Sequence, residues 1–243
     1  MVATPRRPAF YALGSGRPGE TLTILHPPYT LWHLSYVALG AGVAPEIHAG
    51  RLLWALAAFA LAVGIGAHAL DELRDRPLGT SFTDRGLALA GALALLGALA
   101  IGIAGVFSVS AWLAPLVLAG GLFVPAYNLE WWGGRFHSDL WFALGWGAFP
   151  AFTGYFVNSL QVGAAGLAMA GGCMALSLAQ RRLSSAARDL RRRTVAVRGS
   201  RTLGDGSTEE LSLAAMLAPL DGALAMLSLA VPALAAGLLV ARL

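Results

Sequence analysis

Seven apolar runs, most of them long enough to cross a bilayer once as a helix, dominate this chain and leave it few ways to fold. They cover about residues 29–43, 52–70, 86–107, 111–129, 140–157, 162–183 and 220–240. The first is short, opened by Pro27-Pro28, closed near Pro45, and carries His33. Pro115 and Pro125 are expected kinks in the fourth. Repeated Gly and Ala let helix backbones approach closely, which suits a tight bundle. Only 12% of the residues are charged, against about 25% in a soluble domain. The expectation is an all-α, polytopic transmembrane bundle of about seven spans. Residues 26–243 form one membrane domain behind a tail, 1–25, that Pro5, Pro8, Gly14, Gly16 and Pro18 keep largely irregular.

Every basic residue is an arginine, and their placement sets the topology. With the N-terminus in the cytoplasm, the inner segments hold Arg6, Arg7 and Arg17, then Arg74, Arg76 and Arg85, then Arg135, then the arginines from Arg181 to Arg201. Only Arg51 and Arg242 fall outside, as the positive-inside rule requires. Loops 71–85, 130–139 and 184–210 therefore face the cytoplasm, in an arrangement expected of a bacterial inner membrane. A net charge of +4 in such a chain concerns topology and anionic lipid, and nucleic acid is not an expected partner. The single cysteine, Cys173, reads as a small buried residue. Residues 199–207 read as a flexible link, and 209–218 as a short amphipathic stretch before the last span.

The chemistry gathers in the inner loops. Residues 67–80 read AHALDELRDRPLGT, with Asp71, Glu72 and Asp75 at the end of an apolar run. Carboxylates at a membrane helix end are costly to desolvate and mark a functional site by default. If the helix continues, Asp71 and Asp75 share one face and suit Mg²⁺, which leaves its other positions to water and phosphate oxygens. A solvated loop of mixed charge that ends a helix accounts for the same residues.

Residues 127–149 read YNLEWWGGRFHSDLWFALGWGAF. Trp131, Trp132, Trp141 and Trp146 fit an interfacial aromatic belt. Asn128 and Glu130 sit at the same helix end as the acidic cluster. Arg135, in a Gly-flanked turn, suits a bidentate grip on phosphate, with His137 and Asp139 as candidate neighbours. In the third loop, helical spacing puts Arg181, Arg188 and Arg192 along one side, next to Asp189. They read equally as topology anchors on anionic headgroups or as a clamp for a diphosphate.

Together these loops resemble the UbiA superfamily of intramembrane prenyltransferases over about residues 26–198. HPPYTLWHLSYVALGAGVAP is similar to the family's first-span signature, and HALDELRDRPLGT stands where the family carries its first Asp-rich motif. A tyrosine-to-glycine pattern runs from Tyr127 through Arg135 to Leu144, Gly145 and Gly147. The resemblance implies a helical bundle, usually of nine spans, around a central cavity open laterally to lipid. It implies a polyprenyl diphosphate substrate held through Mg²⁺, whose ionisation gives an allylic cation captured by an acceptor. On this chain it assigns Mg²⁺ to Asp71 and Asp75, with Glu72 and Asp189 as further ligands. Catalysis falls to Asp71, Asp75 and Arg135, and substrate binding to Arg76, Tyr127, Asn128, Arg188 and Arg192. Two departures stand out. The first motif is compressed, with Arg76-Pro77 directly after Asp75. In the second, a D-x-x-x-D expected near 181–193, Ser185 stands four residues before Asp189. A terpene cyclase using the same ionisation, and a non-catalytic lipid- or partner-binding protein, are the alternatives.

Overall fold

A computed structural model describes residues 9–13 and 16–242; Arg6, Arg7 and the rest of the extreme N-terminus lie outside them. Helix α1 (Arg17–Ile24) is followed by α2 (Pro27–Gly42), α3 (Ala49–Asp75), α4 (Asp84–Ser108), α5 (Ala111–Asn128), α6 (Asp139–Ser159), α7 (Ala164–Arg188) and α8 (Leu213–Val240). Five of these, α3, α4, α5, α6 and α8, are long and apolar enough to cross a membrane. The chain is thus an all-α membrane protein. The lipid-facing character is plain in α4: only Leu87, Gly91 and Ala94 are buried, while Leu89, Leu93 and Leu96 are exposed.

The centre of the bundle is α2. Two prolines open it in the first turn, where a missing N–H does no harm, and His26 before them takes a left-handed conformation (φ 46°). Trp32, Tyr36, Val37 and Ala41 are fully buried. Its seam with α6 is set by two glycines. A Cβ on Gly40 would stand 1.8 Å from the Ala151 carbonyl oxygen, and one on Gly154 2.0 Å from that of Val37. Hydrogen alone at these positions lets the backbones touch, as in small-residue membrane crossings. Trp32, Tyr36, Ala151, Cys173 and Val231 then close one core cluster across α2, α6, α7 and α8. Cys173 is a buried free thiol, as expected.

Three segments differ from expectation. Residues 1–25 do not form a wholly irregular tail. Among those described, Arg17–Ile24 is helical, and the Leu13 N–H donates to Thr23 Oγ1 at 3.0 Å. The expected link at 199–207 is a hairpin, Ser200–Thr202 pairing antiparallel with Thr208–Glu210. Asp205 holds its turn by accepting from the Ser207 N–H (2.9 Å) and hydroxyl (2.6 Å), which keeps the Asp205 carboxyl below its usual pKa. The stretch at 209–218 is not a separate amphipathic element either, since α8 starts at Leu213, capped by the Ser212 hydroxyl, and runs through Pro219. Within α5, Pro115 lies in the first turn of the α-helical part, Ala114–Asn128, and Pro125 inside it.

Candidate functional site

Helix α3 continues past the apolar run, so Asp71 and Asp75 are helical and not in a loop. They occupy one face, with His68 three residues before Asp71 on the same side. This face lines a cavity of about 370 Å³ closed by the ends of α2, α5, α6, α7 and α8. Opposite stand Arg181, Arg188, Arg191 and Arg192. The cavity therefore draws residues from the segments at 71–85, 130–139 and 184–210. Three π-helical segments border it: Ala60–Ala67, Leu144–Ala148 and Asp189–Arg193. Each inserts a wide turn that re-aims the following side chains, delivering His68, Trp146 and Arg191–Arg192 respectively. His26 and Glu130, two of the cavity residues, hold left-handed backbones (φ 46° and 51°). Non-glycine residues keep that conformation only where their surroundings enforce it, often at functional sites.

The charges divide into committed and uncommitted groups. Arg181 donates to Asp139 at 3.0 Å, Arg191 is paired with Asp221 on α8, and Glu130 takes Arg74 at 3.1 Å. Asp71 and Asp75 make no hydrogen bond or close ion pair with any described residue. Arg192 makes none either, and Arg188 donates only to Ser185 Oγ, at 2.9 Å. Asp71 nevertheless feels the fields of His137, Arg188 and Arg192. Two uncommitted carboxylates thus face two uncommitted guanidiniums across one cavity.

Of the remaining sequence candidates, Tyr127 and Asn128 line the cavity; Asn128 donates to the Val124 carbonyl at 2.8 Å and keeps its Oδ1 free. Four others do not. Glu72, fully buried, accepts from the Leu78 N–H (2.9 Å), the Thr80 N–H (2.7 Å) and the Thr80 hydroxyl (2.9 Å). It organises the loop after α3 and has no oxygen to spare for a metal. Arg76 serves the same loop, donating to the Phe82 carbonyl at 2.6 Å and pairing with Asp84. Arg135 is exposed behind two glycines at positive φ (69° and 78°) and is not part of the cavity wall. Asp189 is exposed, pairs with Arg193 at 3.4 Å, and also stands outside the wall. The tryptophans split as well: Trp131 and Trp132 are exposed, Trp141 packs on Phe123 and Phe136, and Trp146 is buried in the cavity wall.

Several wall residues carried no sequence signal. Phe10 and Tyr11 line the cavity, and the Tyr11 hydroxyl meets His26 Nδ1 at 2.6 Å. Burial first, then the neighbouring charges of Tyr29 and Asp71, push the Tyr11 pKa up, so its hydroxyl keeps its proton. Burial likewise holds His26 well below its ordinary value, helped by His68, Arg192 and Arg188. His26 stacks on His68 with ring centroids 4.1 Å apart. Glu20 fastens α1 to the loop after α3, accepting from the Ser81 hydroxyl at 2.6 Å.

A second cavity, of about 660 Å³, lies among α3, α4, α5 and α6. Its lining is almost wholly apolar, including Phe59, Leu95, Leu99, Phe123 and Phe149. Trp146 belongs to both walls. Both volumes fall in the range of small-molecule sites, about 300–1,000 Å³. Comparison of the chain with models of known families, with curated proteins and with solved structures gives no match.

Proposed function

We propose that this protein is an intramembrane prenyltransferase of the UbiA type, moving an isoprenoid group from a prenyl diphosphate to an acceptor. In this reading α2 and α7 also cross the membrane, making seven spans, and the arginine-rich end faces the cytoplasm. The resemblance of residues 26–198 supports it, as does the placement of Arg51 and Arg242 at the far end. There Arg51 donates to the Val157 carbonyl at 3.4 Å and Arg242 to that of Ala44 at 2.9 Å.

One observation carries the reading: the uncommitted Asp71, Asp75, Arg188 and Arg192 line a cavity that shares the wall residue Trp146 with an apolar one. An amphiphile with a diphosphate head and an isoprenoid tail has complementary chemistry. The donor set also fits Mg²⁺, because two carboxylates on one helix face are the usual protein share of its shell when phosphate oxygens complete it. The described residues hold no cluster of three or more His, Cys, Asp or Glu able to bind a metal alone. In this reading Asp71 and Asp75 would hold the Mg²⁺ together with diphosphate oxygens. Mg²⁺ bound there supplies Lewis-acid stabilisation of the departing diphosphate. Arg188 and Arg192 grip its oxygens with charge-assisted hydrogen bonds. Trp146 and Phe142, parallel with centroids 5.8 Å apart, supply aromatic surface that would keep water from an allylic cation.

The test is turnover of labelled farnesyl and geranylgeranyl diphosphates by the purified protein, with Mg²⁺ or EDTA. Mg²⁺-dependent diphosphate release, lost in both Asp71→Ala and Asp75→Ala, is the expected result. Binding without turnover would give the site to a non-catalytic lipid-binding protein. Cyclic hydrocarbon products would make the protein a terpene cyclase.

A further inference from the structure

The larger, apolar cavity reaches the end of the bundle opposite Asp71 and Asp75. Its wall follows α6 from Trp146 to Val157, about 16 Å at the helical rise of 1.5 Å per residue. Polar groups are few there. Gly50 and Arg51, both in the first turn of α3, stand in the wall. The α3 N-terminus has no side-chain cap, so its leading N–H groups and the helix dipole favour an anion. Arg51 meets the Val157 carbonyl at 3.4 Å and bonds to no other described residue, which leaves most of its guanidinium unused. Glu46 lies 3.9 Å from His48 and outside the wall.

Thr153 stands on α6 one turn before Val157, toward Trp146. Its hydroxyl is buried without a hydrogen-bond partner. Serine and threonine in helices often donate to the carbonyl one turn back, as Ser35 and Ser108 do; Thr153 does not. It is 8% exposed and belongs to the cavity wall.

An unused guanidinium, a donor about 5.4 Å deeper and apolar walls beyond describe the occupant. It carries an anionic head, an acceptor a few bonds below it, and then hydrocarbon. A fatty acid has its acceptors at the head and offers Thr153 nothing; an isoprenoid chain has no acceptor at all. A glycerophospholipid has phosphate, ester carbonyl and acyl chain in that order, and a choline head would bring a second cation to Arg51. Trp54, Ala104 and Ser108 border the cavity and are also exposed, so this end borders the surroundings of the bundle. We propose that the cavity holds an acyl chain of an acidic glycerophospholipid, with the phosphate on Arg51 and the α3 N-terminus and the ester carbonyl on Thr153. The proposal does not depend on the prenyltransferase reading, because this chain enters at the end opposite Trp146.

Native mass spectrometry of the purified protein in detergent, with equal amounts of dioleoyl phosphatidylglycerol and dioleoyl phosphatidylcholine, tests it with no prenyl diphosphate present. Wild type should retain mainly phosphatidylglycerol. Arg51→Gln should weaken that retention about tenfold, the scale of one charge-assisted hydrogen bond. Arg242, at the same end, serves the Ala44 and Pro45 carbonyls away from the cavity wall, and Arg242→Gln should change retention by less than about twofold. Thr153→Val should weaken it roughly threefold to tenfold, leave a dialkyl ether phosphatidylglycerol unaffected, and not lower the melting temperature. Equal retention of the two lipids by wild type overturns the proposal, as does selectivity that survives Arg51→Gln or an equal loss in Arg242→Gln. A Thr153→Val effect that is absent, or the same for ester and ether, does so too.

Discussion

Where α2 crosses α6, the Gly40 and Gly154 backbones press against opposing carbonyls. Within the core beside that seam, the Trp32 indole N–H reaches the Tyr36 hydroxyl at 2.5 Å and Ser177 joins it. Around the polar cavity the accounting is different. Two carboxylates, a guanidinium and two buried polar atoms have no hydrogen-bond partner among the described residues, helices widen into π turns, and non-glycine residues sit at positive φ. Both regions are built from the same α2, α6 and α7. The difference teaches that this fold spends its close packing on the seam and holds its strain and unpaired charge where a ligand would settle them.

The largest effect should come from breaking the seam. Gly154→Ala places a methyl 2.0 Å from the Val37 carbonyl, and since neither backbone can yield, it should destabilise by about 3 kcal/mol or more. Gly172→Ala, on α7 with nothing within 4 Å, should stay within about 0.5 kcal/mol of wild type. Tryptophan fluorescence during thermal unfolding in detergent reads both. Equal stability of the two variants would mean the seam is not the tight region.

Two carboxylates three residues apart sharpen the contrast. Glu72→Ala strands the Leu78 and Thr80 N–H groups and should cost roughly 3 kcal/mol. Asp75→Asn removes an exposed, unpaired charge; it should leave the melt unmoved and abolish Mg²⁺-dependent turnover. Next in size is the arginine wall. Arg188→Met should weaken inorganic diphosphate binding tenfold to a hundredfold, on the order of 1.5–3 kcal/mol for a charge-assisted contact. Arg193→Met, whose arginine is exposed and already paired with Asp189, should change it less than about twofold. A reversed order in calorimetry would move the anion site off the α7 wall.

How much of this was legible follows from where each signal lives. Helix extents were in part, because apolar runs register in composition; the limits of α4, α5 and α6 lie within two residues of the expected ones, while α3 and α7 run on to Asp75 and Arg188 and α8 begins already at Leu213. The meeting of Asp71, Asp75, Arg188 and Arg192 was legible too, since the arginine distribution led the sequence reading to put their segments on one side. The division of labour was not. Glu72 and Asp71 are neighbours in the chain, and only the fold of the loop at 76–80 decides which carboxylate is turned inward. Asp189 lies one residue past Arg188, but helical rotation takes it off the cavity face. The N-terminal cover was hidden because Phe10 and Tyr11 stand among prolines and glycines with no periodicity, and their role depends on rings supplied by His26 and Tyr29.

That cover is the softest joint between the two regions, and pH should find it. The Tyr11 hydroxyl lies 2.6 Å from His26 Nδ1, so a second proton on His26 adds charge directly beside this buried contact. His68 and His33 beside it, and Arg188 and Arg192 across the cavity, oppose the added charge, while Tyr11 and Tyr29 are neutral. With its pKa held below the ordinary value of 6.5, His26 binds its proton more readily in the unfolded chain. Its contribution is therefore complete above about pH 6.5 and is lost as pH falls below that, at no more than about 1.4 kcal/mol per pH unit. Melting temperatures from pH 8 to pH 5, for wild type and His26→Phe, isolate it, since the other histidines contribute to both curves. The wild-type curve should fall away from that of His26→Phe below pH 6.5. Parallel curves would show that His26 is as easily protonated in place as in the unfolded chain, and that the mouth of the cavity is open to water.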